Sequence, residues 1–252
     1  LTATQFGALN AGQIGALSST QIGGLTATEI SLFTATQFGG LSSSAIGSFS
    51  GTQFGGVTSN EIGLLSATQL SGLTSTQLGG LTTTQLGGLT GTAVRLLSTI
   101  QFGGLTATEI SLLSATQFAG VTATSIGAMS ATQFGGLTAT EIGILNATQL
   151  GGLTVGEIGS LSNTQLGALN GSKIAQLSTT QLAGLTTTQI AVLTSDQLGA
   201  LALKALETGI LTATQVANLN STQIAALNAT QFASLTATSI GLLSTAQFGA
   251  LT

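Results

Sequence analysis

The chain contains no Cys, His, Tyr, Trp or Pro and a single Met, and only 4% of its 252 residues are charged. These absences exclude several classes of function. Without Cys there are no disulfides and no thiol chemistry. Without His, Cys or Tyr, and with only three basic residues, no Ser or Thr has an evident base to activate it. The acids are spread singly along the chain, so paired-carboxylate acid–base catalysis lacks its pair. An enzyme is therefore not expected, and no catalytic, cofactor-binding or metal-binding residue is assigned. The net charge of −4 offers no basic surface for nucleic acid. No stretch approaches the roughly 18 apolar residues of a membrane-spanning helix, so insertion into a membrane is not expected. A globular domain uses about a quarter charged residues; here hydroxyls and amides must meet water instead.

What the chain does contain is an eight-residue period. It runs from Leu1 to Thr252 as Leu, Ser/Thr/Asn, small, Thr, Gln/Glu, Ile/Leu/Phe, Gly/Ala, variable, as in Leu105-Thr106-Ala107-Thr108-Glu109-Ile110-Ser111-Leu112. There are 31 such octads, one stretched to ten residues at 201–210. Fixed short periods signal stacked, quasi-one-dimensional architectures. We expect one continuous repeat array over 1–252. It opens in mid-pattern and stops just inside a fresh octad, as an excerpt of a longer repetitive protein would.

Position 2 is Ser, Thr or Asn in 30 of the 31 octads, with Asn10, Asn146, Asn170, Asn220 and Asn228 exchanging freely with the hydroxyls. That interchange is the preference of a helix N-cap, whose side-chain oxygen accepts from a free backbone N–H, whereas strands disfavour Asn. Gln or Glu follows three residues later, completing a capping box. The Leu before the cap and the apolar residue four after it form a hydrophobic staple. Glu29, Glu61, Glu109, Glu141 and Glu157 stand at the third helical position and Asp196 at the second, near the positive end of the helix dipole. The predicted unit is a helix of about six residues, far below the roughly 12 needed for a stable isolated helix, so tertiary packing must supply its stability. Frequent Gly at position 7 costs helix propensity and implies close packing or a C-terminal turn.

A second period lies inside the first. Gln occupies position 5 of every odd octad: Gln5, Gln21, Gln37, Gln53, Gln69, Gln85, Gln101, Gln117, Gln133, Gln149, Gln165, Gln181, Gln197, Gln215, Gln231 and Gln247. All ten Phe lie in odd octads, and 12 of 15 even octads carry Ile at position 6. The expected fold is all-α: a narrow α-solenoid of very short capped helices, the octads paired into 16-residue coils with odd helices on one side and even on the other. The odd glutamines would then form a structural row along one side, bonding their own cap or the adjacent coil, and Glu157 would meet Lys173. The rival is a two-sided β-solenoid, which suits the Thr-x-Thr runs and Gly-rich turns. Against it, apolar positions 1 and 6 have opposite parity, so an unbent strand cannot point both inwards.

In the stretched octad Ala202 replaces the cap, so the helix begun near Thr194 or Ser195 should run on to about Glu207, with Gly209 as its C-terminal turn. This reads as a tolerated insertion. The four Asn-x-Ser/Thr sequences at Asn146, Asn170, Asn220 and Asn228 fall at position 2, where the repeat itself creates them, and read as caps rather than glycosylation sites.

Repeats of the form Leu-Thr-x-x-Gln-Ile-x-x-Leu, as in Leu185-Thr-Thr-Thr-Gln-Ile-Ala-Val-Leu193, resemble octapeptide repeat regions of giant bacterial secreted and surface proteins. The resemblance implies an extracellular or cell-surface location and a structural or adhesive role, and carries over no functional residue. The expectation is a rigid fibre, stalk or sheath component that self-associates as a homopolymer or by lateral bundling, since low charge leaves little repulsion between neighbours. The alternative is an adhesin, or a module binding glycan or ice, that presents the position-4 threonines, such as Thr108, as a hydroxyl array.

Overall fold

A computed structural model describes residues 3–205, 212–233 and 235–251. Its described residues form thirty helices, nearly all of four to six residues, and contain no strand. The protein is an all-helical repeat of the α-solenoid class. The β-solenoid is excluded at the level of the octad, because the cap residue, extended in every octad whose cap geometry is defined, is followed at once by helical backbone. Ser66 illustrates this, with φ −67° and ψ 162° ahead of the helix Ala67–Gly72.

Each helix ends the same way. The N–H of the next position-1 residue bonds the position-6 carbonyl three residues earlier, as in Leu41 N–H to Phe38 at 3.1 Å and Val57 N–H to Phe54 at 3.0 Å. This 3₁₀-type bond tightens the last turn, and the extended cap that follows redirects the chain. Positions 1 and 6 then supply the core: Phe38, Leu41, Ile46, Phe102 and Leu105 are all buried.

The chain divides into two compact units, Leu1–Gly136 and Leu137–Thr252. Both are built by the same stacking. Helices pack on those three octads further along. In the first unit Ser43–Gly47 packs on Ala67–Gly72 and Ser59–Gly63 on Thr83–Gly88. In the second, Ala139–Ile144 packs on Asn163–Gly167 and Val155–Ser160 on Thr179–Leu182. A coil of two octads is therefore ruled out, as are separate odd and even sides. Partners three octads apart always have opposite parity, so every stacked pair joins an odd octad to an even one.

The 16-residue period nevertheless has a structural meaning. Position 8 of an odd octad lies against position 3 of the even octad stacked on it, and the approach is backbone to backbone. A Cβ at Gly72 would stand 2.6 Å from the carbonyl carbon of Ser43 and 2.7 Å from its Cα. Glycine is required there by space, not by dihedral angle. In even octads position 8 faces solvent, where Leu32, Leu64, Leu96 and Leu112 are exposed.

The long helix expected at the stretched octad is present as Ser195–Ala205. Glu207 and Gly209 lie outside the described residues.

Candidate functional site: the position-5 column

The dominant polar feature of the protein is the position-5 side chain, which does two jobs with one amide. Its oxygen accepts the N–H of its own cap: Thr82 N–H reaches Gln85 Oε1 at 3.0 Å, while Gln85 N–H is accepted by Thr82 Oγ1 at 3.2 Å. This reciprocal box satisfies two of the free N–H groups at the helix start. The amide nitrogen then crosses to the preceding turn. Gln85 Nε2 donates to the carbonyls of Phe54 and Val57, 31 and 28 residues earlier, at 2.9 and 2.8 Å. Gln53, Gln69, Gln101, Gln117, Gln181 and Gln197 repeat both crossings. One turn of chain thus takes 28 to 31 residues, between three and four octads.

The amide sits almost fully buried, with Gln85 only 4% exposed. A buried carboxamide with every proton and lone pair engaged strengthens the contact, whereas a half-satisfied one would weaken it. Capping is therefore local chemistry, and the crossing bonds tie one turn to the next.

The sequence-assigned glutamines divide by depth. Gln37 and the described odd glutamines after it are buried; Gln5 and Gln21, in the first octads, are exposed. Gln21 keeps its box, accepting Ser18 N–H at 2.8 Å. Gln149 pairs with Asn146 in the same way. Gln37, Gln133, Gln165, Gln215, Gln231 and Gln247 all donate Nε2 to a carbonyl of an earlier turn.

The odd-octad pattern is not what defines this column. Gln77, Gln189 and Gln223, all in even octads, make the same two crossings. Lys173, also even, turns its Nζ to the Leu145 carbonyl 28 residues back, taking the place of a glutamine amide. The expected Glu157–Lys173 pairing does not form, because the two octads are two apart and stacking partners are three apart. Glu157 Oε2 instead accepts from the Thr154 N–H at 2.6 Å and hydroxyl at 2.9 Å. The signal that could have revealed this was the substitution of Lys for Gln in the column, which needs a long donor rather than a charge partner.

Asp196 also differs from expectation. It does not serve its own helix; its Oδ2 accepts the Gly171 N–H at 2.8 Å, 25 residues back. It neutralises a free donor at the start of the helix stacked on its own.

The register survives the stretched octad. Gln223 reaches Ile190 and Leu193 over 33 and 30 residues, each two more than the usual crossing, and Gln247 returns to a 28-residue span at Leu219. The two extra residues are absorbed without breaking the stack, in keeping with a tolerated insertion. Where the column is acidic, burial dominates the titration: it raises the Glu141 and Glu157 carboxyls above 4.5, against the opposing pull of the Thr138 and Thr154 N–H groups. Glu29, in an early octad, is lowered by the Thr26 N–H and then by its hydroxyl.

Residues 172–203 match the ALTTAQ repeat. The matched stretch contains Leu185-Thr-Thr-Thr-Gln189, the capping box with its crossing glutamine, and agrees with the assignment of a repeat protein. Comparison with curated proteins gave no match. No helix among the described residues is long and apolar enough to cross a membrane.

Proposed function

We propose that the protein is a structural repeat, a segment of an extracellular fibre, stalk or sheath whose role is to hold length and to associate laterally with copies of itself. The observation that carries this reading is the uniform crossing column. The same buried amide joins turn to turn from Gln37 to Gln247, so the array extends by adding octads without any specialised piece. Lateral association is supported by solvent-facing Leu32, Leu64, Leu96 and Leu112 on a chain that is only 4% charged. The test is negative-stain electron microscopy of the full-length protein with sedimentation of wild type and a Leu64→Ser/Leu96→Ser variant. Filaments or bundles that weaken in the variant are expected. Short, dispersed monomers of the wild type would overturn the proposal.

An adhesive role is the second reading, favoured by the exposure of the position-4 threonines. Thr36, Thr84, Thr108 and Thr132, at three- and six-octad intervals, all face solvent. A hollow of about 440 Å³ nearby is lined by Thr92, Thr116 and the Arg95 guanidinium, a donor set suited to glycan hydroxyls or an acidic sugar. Glycan-array binding and ice-recrystallisation assays test it, and silence in both would remove it.

A further inference from the structure

Three members of the position-5 column are glutamates with a sealed, unpartnered oxygen. Oε1 of Glu61, Glu141 and Glu157 is buried and has no hydrogen-bond partner, although the residues are only 3%, 4% and 8% exposed. In each the other oxygen does the capping job; Glu61 Oε2 accepts the Thr58 N–H at 2.7 Å and the Thr58 hydroxyl at 2.8 Å. The idle oxygen is therefore the atom that stands where a glutamine carries its amide nitrogen.

Glu61 shows what it faces. On one side Gln53 donates to Ile22 and Leu25, and on the other Gln69 donates to Phe38 and Leu41, each over 31 and 28 residues. The same register sets Ile30 and Phe33 opposite Glu61, and their local bonding matches: Phe33 N–H bonds the Ile30 carbonyl at 3.1 Å as Leu25 N–H bonds Ile22 at 3.0 Å. Carbonyl oxygens only accept. An ionised carboxylate also only accepts, so oxygen would face oxygen in a buried site, which costs far more than a paired contact. A carboxylic acid has one donor and is nearly isosteric with the carboxamide. A short O–H···O bond fits the space that an Nε2–H···O bond of about 2.8 Å occupies, whereas a coordinated cation needs room between the oxygens.

We propose that the sealed glutamates of this column are proton-operated latches: each is held as the carboxylic acid, with Oε1–H donating to a main-chain carbonyl, and loss of that proton opens the turn-to-turn bond at its site. Burial already pushes the Glu141 and Glu157 carboxyls up. No other charge compensates them nearby. Asn163–Gly167 and Thr179–Leu182, the helices packed on theirs, contain no titratable residue. For Glu61 the helix Thr83–Gly88 has none, Ala35–Gly39 has none, and Ala27–Ile30 carries only Glu29, itself engaged with Thr26. Lys173 is committed to the Leu145 carbonyl. The array is then most tightly fastened in acid and loosens at chosen octads as pH rises. The proposal does not depend on the fibre reading, because it concerns the bond between turns and not association between chains.

The sign follows from linkage. A carboxyl whose folded value lies above 4.5 binds its proton more tightly in the folded chain, so its stabilisation is complete below that value and is lost as pH rises towards the folded value. The test uses the full chain, compared with Glu61→Gln/Glu141→Gln/Glu157→Gln, which installs the repeat's own residue and so keeps the fold. Wild-type Tm should fall between pH 4 and 8, and the triple variant should remain flatter and melt higher at pH 8 by about 2–4 °C per carboxyl. Carboxyl ¹³C titration of glutamate-labelled wild type should show Glu141 and Glu157 deprotonating at higher pH than Glu29. An unchanged pH slope in the variant would overturn the proposal. So would glutamates that titrate together with Glu29, or stabilisation of the wild type at pH 8 by added calcium or sodium chloride with no change in proton uptake.

Discussion

The first octads and the interior octads of the same unit carry one motif in two environments. Gln13 caps its helix through Asn10, with 2.9 Å bonds in both directions, and remains exposed. Gln85 makes the same box with Thr82, but is buried and also holds Phe54 and Val57 on the turn before. The box is thus intrinsic to an octad, and the crossing appears only once a preceding turn exists to receive it. Short helices that would fray alone are stabilised by tertiary contact, and the amide nitrogen is where that contact becomes directional.

The contrast is broken most severely at the backbone approach. Gly72→Val drives a branched side chain into Ser43 and should destabilise the first unit by about 3 kcal/mol or more, with Gly72→Ala costing about 1–3 kcal/mol. Gly39, which has nothing within 4 Å of its would-be Cβ, should gain about 0.4–1 kcal/mol as Gly39→Ala. Denaturant unfolding of the variants measures both, and an equal cost at the two positions would refute the spatial reading. Next comes the column. Gln85→Ala loses the cap bond and leaves two buried carbonyls without a donor, about 2–3 kcal/mol. Gln13→Ala loses only its part of the box, about 0.5–1 kcal/mol. Hydrogen exchange at Thr82 and Asn10 should report the difference directly. The smallest effect belongs to Glu29→Gln. Because the Thr26 N–H and hydroxyl hold the Glu29 carboxyl low, its contribution is present above 4.5 and is lost as pH falls through the lowered value. The substitution should leave Tm at pH 7 nearly unchanged and soften only the acid limb, the opposite sign to Glu141 and Glu157.

Helix, cap and box were legible in the octad because they are short-range: Thr82, Gln85 and Leu86 lie within five residues and interact whatever the rest of the chain does. The column could be read as a bonding row for the same reason, since an invariant amide in a buried position needs partners. Its partners were not legible. The alternation of Phe-bearing and Ile-bearing octads suggests a two-octad coil, whereas the structure uses it to match unlike octads three apart. The period of a pattern reports that neighbours differ, not how far round the stack the neighbour lies. Lys173 was misjudged for that reason: with the wrong spacing it faces Glu157, and with the right one it faces the Leu145 carbonyl.

From the order of residues alone follow the all-helical octad, its N-cap and staple, and the poverty of chemistry, since each depends on contacts within one turn of chain or on composition. The number of octads per turn, the glycines that touch backbone, the carbonyls that receive each amide and the sealed glutamate oxygens were decided by the tertiary structure. All of these depend on the angle at which one capped helix leads to the next, and no local rule sets that angle. It is set jointly, by closing backbones at Gly72 and its equivalents while every buried position-5 donor finds its carbonyls.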